Sequence, residues 1–210
     1  MANPGDIKKR YCYIPTRIAR TYLQHQYKAK VAVQAVGLSL YESEMDGCDV
    51  SRRTVKVTQW LQYGSGPGAV SLSGQRILIV DEVDDSRKTL AACVATLQAD
   101  IDAARAAALA AGSYWEEPEV GILVLAYKRR EKLAELPTDL MKSRYWSCID
   151  MDDCWCVFPW DAFDIYDHTR LAEAPGAHSG GAAGGGIAAP KAEGCATASS
   201  LLAASARKLM

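Results

Sequence analysis

Two hydrophobic periods alternate along the first 173 residues of this 210-residue chain. Ile77-Leu-Ile-Val80 is an unbroken aliphatic run and predicts a strand buried on both faces, with Gly74 marking the turn before it. From Leu90 the period lengthens. Leu90, Val94, Leu97 and Ile101 recur at helical spacing in an alanine-rich stretch, which predicts a helix from about Lys88 to Gly112, with Gly112 at the C′ position. Gly121–Tyr127 predicts a second short apolar strand. Upstream, Tyr13–Leu23 predicts a helix with Pro15 near its first turn and Ile14, Ile18 and Tyr22 along one face. Val31–Tyr41 predicts a strand, Glu42–Ser51 a polar loop, and Thr54–Trp60 an alternating, half-exposed strand.

Beyond Ala174 the pattern dissolves. Residues 175–194 are mainly glycine and alanine, including the run Gly180–Gly186, and cannot bury enough apolar surface to offset their ordering entropy. Residues 174–210 therefore read as a flexible tail, in which Ala198–Met210 is a marginal short helix.

Composition narrows the class. At 49% apolar and 23% charged the chain is an ordinary globular protein, and its length suits a single domain with a substantial core. A net charge of −1 offers no electrostatic case for nucleic acid or an anionic membrane. No apolar run reaches membrane-spanning length, the polar start lacks a signal peptide's apolar core, and the terminal Arg-Lys-Leu-Met is not a peroxisomal address. The seven cysteines are scattered and Cys154-Trp-Cys156 is one residue short of a Cys-x-x-Cys pair; with three histidines, this argues against zinc and for reduced thiols in a cytoplasmic protein.

Chemistry concentrates after Val80. Asp81, Glu82, Asp84 and Asp85 are followed by Ser86, Arg87, Lys88 and Thr89, at the junction of the predicted strand and the long helix. Ligands of open α/β sheets bind beyond the carboxyl ends of strands, where a helix N-terminus offers free N–H groups to phosphate. The Ser86 and Thr89 hydroxyls and Lys88 suit a phosphate, and Asp81 with Glu82 suits a diol. Together they describe a ribose 5-phosphate; an ordinary βα turn with an acidic rim is the plainer alternative. A Walker B strand needs a partner Gly-x4-Gly-Lys-Ser/Thr loop, and Gly64-Ser-Gly-Pro-Gly68 has no lysine.

Asp81-Glu-Val-Asp-Asp-Ser-Arg-Lys-Thr89 resembles the phosphoribosyl-pyrophosphate (PRPP) motif of type I phosphoribosyltransferases, and most of all their fungal-type branch acting on 6-oxopurines, where arginine replaces the usual glycine as Arg87 does here. The resemblance runs collinearly through Ile14-Pro-Thr-Arg17, Leu38-Ser-Leu-Tyr-Glu42, Val57-Thr-Gln-Trp60, Gly121–Leu125, Trp155–Trp160 and His168-Thr-Arg170. It implies an α/β fold, a Rossmann-like parallel sheet flanked by helices, with a small hood from the C-terminal part. It also implies transfer of a 5-phosphoribosyl group from PRPP to hypoxanthine, guanine or xanthine, with Mg2+ as cofactor and a homo-oligomer, a dimer, as assembly. By the same resemblance Asp81 and Glu82 hold the ribose diol, Ser86, Arg87, Lys88 and Thr89 hold the 5′-phosphate, and Asp85 is the general base or acid. Lys128 donates to the purine 6-oxo group, Trp155 stacks on the base, and the Cys156 backbone recognises its edge. Asp161 lies toward pyrophosphate and magnesium, with Glu82 contributing to the metal indirectly. Ser39 and Tyr41 border a lid. Of the basic run Lys128–Lys132, only Lys128 is singled out and the other four are left as solvated surface.

One departure stands out. The family's glycine-rich pyrophosphate loop should precede the helix at Tyr13, yet Lys9, Arg10, Tyr11 and Cys12 occupy its place, supplying charge without the close backbone approach that glycine permits. Residues 1–13 are therefore expected to be irregular, the first core strand missing and the chain truncated at its start, with the phosphoribosyltransferase domain over 14–173. The alternatives to a working enzyme are a catalytically impaired ribose-phosphate or nucleotide-binding regulatory module, and a product that does not fold.

Overall fold

The computed structural model describes residues 12–41, 54–63, 70–160 and 162–173. The chain divides into two compact units, Met1–Asp153 and Cys154–Met210. The first contains helix α1 (Tyr13–Tyr27), strands β1 (Gly37–Tyr41), β2 (Thr54–Gln59) and β3 (Arg76–Asp84), helix α2 (Lys88–Ala110), strand β4 (Glu119–Lys128), helix α3 (Thr138–Ser143) and strand β5 (Tyr145–Met151). In the second, α4 (Ile165–Glu173) is the described helix.

A parallel three-stranded sheet in the order β3-β4-β5 forms the frame of the first unit. β4 is central, with Ile79 opposite Ile122, Asp84 opposite Tyr127, and Lys128 opposite Met151. The predicted helix appears as α2, whose buried residues Leu90, Cys93, Val94, Leu97 and Ile101 form one stripe. Leu90 and Val94 pack with Ile122, Val124, Leu136 and Leu140, while Leu97 and Ile101 pack with Leu72. Each such side chain contributes about 1.5–3 kcal/mol of burial. The helix ends where glycine predicted it: Gly112 takes a left-handed φ of 63°, its N–H donates to the Leu109 carbonyl, and the Ser113 N–H reaches back to Ala108. This is the paired-bond stop in which only glycine avoids a Cβ penalty.

Three local expectations change. β3 runs through the acidic residues to Asp84 rather than ending at Val80, because pairing with β4 continues through Asp81, Val83 and Asp84. Its Ile77–Val80 segment is half-buried, not buried on both faces. Ile77 and Ile79 pack into the two core clusters, whereas the alternate residues Leu78 and Val80 join neither. Among the described residues β3 is an edge strand, so one side lacks a strand neighbour. The strand expected over Val31–Tyr41 begins only at Gly37 and pairs antiparallel with β2, Leu40 opposite Val55. Helix α1 continues past Leu23 to Tyr27, burying Pro15 while Ile14 and Ile18 stay exposed. Residues 1–11, 42–53 and 174–210, where the irregular start, the polar loop and the tail were expected, lie outside the described residues.

Candidate functional site

Parallel pairing brings the carboxyl ends of β3, β4 and β5 to one rim, and the acidic segment turns there. The Asp85 N–H donates to the Val83 carbonyl at 3.1 Å, which folds the chain sharply off the strand. Arg87 follows with φ 69° and ψ −8°, the left-handed region, as the residue that caps α2. A non-glycine residue there costs about 1–2 kcal/mol. From Lys88 the helix proper begins, so the amides of its first turn are directed at the space beside Ser86 and Thr89.

The arginine is held in that conformation by its own side chain. Asp84 is 1% exposed, and its carboxylate accepts hydrogen bonds from Arg87 Nη2 at 2.8 Å, Arg87 Nε at 3.1 Å and the Tyr145 hydroxyl at 2.6 Å. The guanidinium carbon stands 5.8 Å from the ring centroids of both Tyr127 and Tyr145. A buried carboxylate is tolerated only when paired and hydrogen-bonded in this way. Burial, then the hydrogen bond to Asp84, pushes the Tyr145 phenol well above its ordinary range. The Arg87 guanidinium thus faces Asp84, which leaves its backbone as the part that shapes the turn into α2.

On the outer side of the rim, charges alternate. Asp85 lies 3.6 Å from Lys128 Nζ and 3.1 Å from Arg130 Nη1, while Asp153 lies 3.3 Å from Lys128 and 3.2 Å from Arg130. Lys128 is 8% exposed, so its end of the pairing is buried, while Asp85, Arg130 and Asp153 remain open to solvent that screens them. Asp85 and Lys128, both singled out in the sequence, therefore meet at this rim. Of the four residues expected as solvated surface, Lys132 turns inward, while Arg130 is exposed as expected and still reaches the rim. Arg130 shares both carboxylates, and Lys132 Nζ donates to the carbonyls of Asp84, Asp85 and Lys128 at 2.7, 2.8 and 2.8 Å. Arg129 remains exposed beside Asp152.

Asp81 sits one step inward. Its Oδ1 accepts from the Glu82 N–H at 2.9 Å and from the Cys12 thiol at 3.4 Å. Burial first, and then the charges of Asp81 and Glu82, push the Cys12 thiol far up, so it stays protonated and donates. Glu82 is buried. Lys9, Arg10 and Tyr11 lie outside the described residues, as do Asp161 and the side chains of Tyr41 and His168. Ser39 lies on β1 opposite Lys56. Trp155 and Cys156 belong to the second unit, where Trp155 is 73% exposed and Cys156 is half-buried. Among the described residues no group of three His, Cys, Asp or Glu side chains forms a metal cage.

No protein-family model matches the sequence. The chain is 40% identical over 158 residues to hypoxanthine-guanine phosphoribosyltransferase of Schizosaccharomyces pombe, covering 74% of this chain and 75% of that protein. It is 42% identical over 169 residues to xanthine phosphoribosyltransferase 1 of Saccharomyces cerevisiae, covering 78% of each. The chain belongs to this family of type I phosphoribosyltransferases. A solved structure of a hypothetical Neisseria gonorrhoeae protein with bound ppGpp is also similar, with a TM-score of 0.54 and 33% identity, over 77% of this chain and 74% of that one. In the phosphoribosyltransferase fold seen here, Asp81, Glu82, Asp85, Ser86–Thr89 and Lys128 all gather at one end of β3 and β4.

Proposed function

We propose that this chain salvages purines by transferring the 5-phosphoribosyl group of PRPP to a 6-oxopurine, releasing pyrophosphate and a nucleoside monophosphate. The observation that carries the reading is the pairing of Asp85 with Lys128 beside the strand–loop–helix turn at Ser86–Thr89. Homology to hypoxanthine-guanine and xanthine phosphoribosyltransferases supports it. The α2 N-terminus, the Ser86 and Thr89 hydroxyls and Lys88 bind the 5′-phosphate, and Arg87 shapes that loop through its backbone. Asp81 and Glu82 serve the ribose diol. Asp85 moves the proton at the purine imidazole nitrogen as charge develops on the ribose ring. Lys128 donates to the 6-oxo oxygen, Trp155 stacks on the base, and the Cys156 backbone reads its edge.

Mg2+ fits as a cofactor shared with substrate. It takes one or two carboxylates plus substrate oxygens and keeps several waters. The resemblance assigns it Asp161, with buried Glu82 acting indirectly, and both would offer oxygen, the donor this ion prefers. When bound, the ion neutralises charge on the pyrophosphate leaving group. We further place the phosphoribosyltransferase domain over 14–173 with a Gly/Ala-rich tail over 174–210, a homodimer as the assembly, and the cytoplasm as its compartment. Support for the last is that the described cysteines form no disulfide, as suits a reducing compartment. No described helix is long and apolar enough to cross a membrane.

A second reading, a nucleotide-binding regulatory module, draws on the Neisseria gonorrhoeae protein with bound ppGpp. One experiment separates the two. Purified protein with PRPP and Mg2+ is offered hypoxanthine, guanine, xanthine and adenine, and products are resolved by chromatography; IMP, GMP, XMP and ppGpp are titrated in parallel. Monophosphate formed from a 6-oxopurine and not from adenine supports the enzyme. Nucleotide binding without turnover moves the chain to the regulatory reading, and neither binding nor turnover overturns both.

A further inference from the structure

We infer that Lys132 is a positioning residue for the transfer reaction, its ammonium fastening the main chain of Asp84 and Asp85 to that of Lys128 so that the Asp85 carboxylate is held at the rim. The inference rests on the enzyme reading above and adds a residue to it. A lysine in a run of basic residues ordinarily carries its charge out to water. This one turns inward: its side chain is 12% exposed, and its three donors go to the carbonyls of Asp84, Asp85 and Lys128 at 2.7, 2.8 and 2.8 Å. Asp84 Oδ1 is 3.5 Å away, and the Tyr127 ring centroid is 4.3 Å from the same nitrogen.

Those three carbonyls lie where the ladder between β3 and β4 runs out, although Lys128 still pairs with Met151 of β5. Pairing of β3 with β4 ends at Asp84 opposite Tyr127, one residue short of both Asp85 and Lys128. The ammonium takes over where the ladder ends, and the Leu133 N–H adds a second tie to the Ser86 carbonyl at 3.0 Å. Residues 128–133 therefore clasp the 84–86 turn. Lysine suits the position because its three N–H bonds splay from one point toward convergent oxygens; the planar fork of arginine cannot do this.

The test compares wild type with Lys132→Met and Lys132→Arg at a temperature where circular dichroism shows all three folded. Turnover, nucleoside monophosphate affinity and amide exchange over residues 84–89 are measured. Misplacing a reacting group by about an ångström costs on the order of 10²-fold. The expected result is a kcat lowered about 30–100-fold in both variants, with monophosphate affinity changed less than about threefold, because that ligand rests on α2. Exchange at 84–89 should quicken in ligand-free Lys132→Met. Turnover preserved in Lys132→Arg would overturn the geometric role and leave only charge. A parallel fall in kcat, affinity and melting temperature would make Lys132 merely structural and overturn it too. The exchange readout keeps a second failure apart. Unchanged exchange at 84–89 in Lys132→Met overturns the clasp whatever the chain binds, whereas quickened exchange in Lys132→Met with no turnover by the wild type overturns the enzyme reading and the catalytic half of this inference with it.

Discussion

Tyr145 donates its hydroxyl proton to Asp84 at 2.6 Å, joining the start of β5 to the end of β3 although β4 lies between these strands. The bond has a pH signature. The folded phenol titrates far above its ordinary value of 10.0, because of burial first and the hydrogen bond to Asp84 second. A group whose folded pKa is raised contributes stability that is fully present below the unfolded value and lost as pH rises toward the folded one. The stability difference between wild type and Tyr145→Phe should therefore be constant from about pH 7 to 9 and shrink above about pH 10. Urea titrations across that range, with phenolate absorbance followed alongside, check this. A difference that holds steady through pH 11 would show that Asp84 does not depend on the neutral phenol.

Replacing Asp85 by Asn removes the only change of charge available at that side chain while keeping its shape. In active protein, kcat should drop by about 10²–10⁴-fold, with nucleoside monophosphate affinity nearly intact. Steady-state kinetics beside calorimetric titration make the comparison. Equal losses of binding and rate would reassign Asp85 to holding ribose.

Arg87→Gly sets two effects against each other. Glycine relieves the left-handed backbone at φ 69°, worth about 1–2 kcal/mol, but removes the main partner of buried Asp84. Breaking a buried pair costs about 3–5 kcal/mol, and Lys132 and Tyr145 remain to soften it. A net destabilisation of roughly 1–3 kcal/mol is expected from denaturant midpoints. A variant more stable than wild type would mean that the backbone strain outweighs the ion pair.

Gly121→Ala should destabilise by about 1–3 kcal/mol through overpacking. A Cβ there would stand 2.8 Å from Cζ3 of Trp146 and 3.4 Å from the Arg144 carbonyl oxygen, so the indole must move. Tryptophan fluorescence and a melting curve report both parts. An unshifted midpoint would show that β5 yields freely.

The frame of this molecule was open to sequence reading because its signals are local. Helix α2 announces itself by apolar spacing and by Gly112, and β3 and β4 by aliphatic runs that need no knowledge of their neighbours, whereas β5, Tyr145-Trp-Ser-Cys-Ile-Asp-Met151, has no such run and is not predicted. The acidic loop was found for the same reason, being a contiguous stretch. What escaped depends on where chains fold back. Nothing in Lys128–Lys132 marks Lys132 as the residue that curls under the loop, since its partners are carbonyl oxygens, which every residue possesses. The resemblance puts Arg87 among the phosphate ligands and does not show that the fold turns its guanidinium to Asp84. The extent of burial on β3 was misjudged because an aliphatic run records what a strand can bury, not how many neighbours it has.

Lys132 also changes which ions in solution the protein can notice. An array of three carbonyl oxygens at 2.7–2.8 Å around one positive centre, with an aromatic face nearby, is the kind of cage in which other proteins seat potassium or ammonium. Here the cation is tethered to the chain and cannot be exchanged for one from the buffer. Turnover of the wild type should accordingly be the same in potassium, sodium and ammonium salts of equal ionic strength, as far as this point of the rim decides it. Shortening the tether to alanine would vacate the cage and turn the protein into one whose loop responds to potassium, ammonium or a small alkylamine.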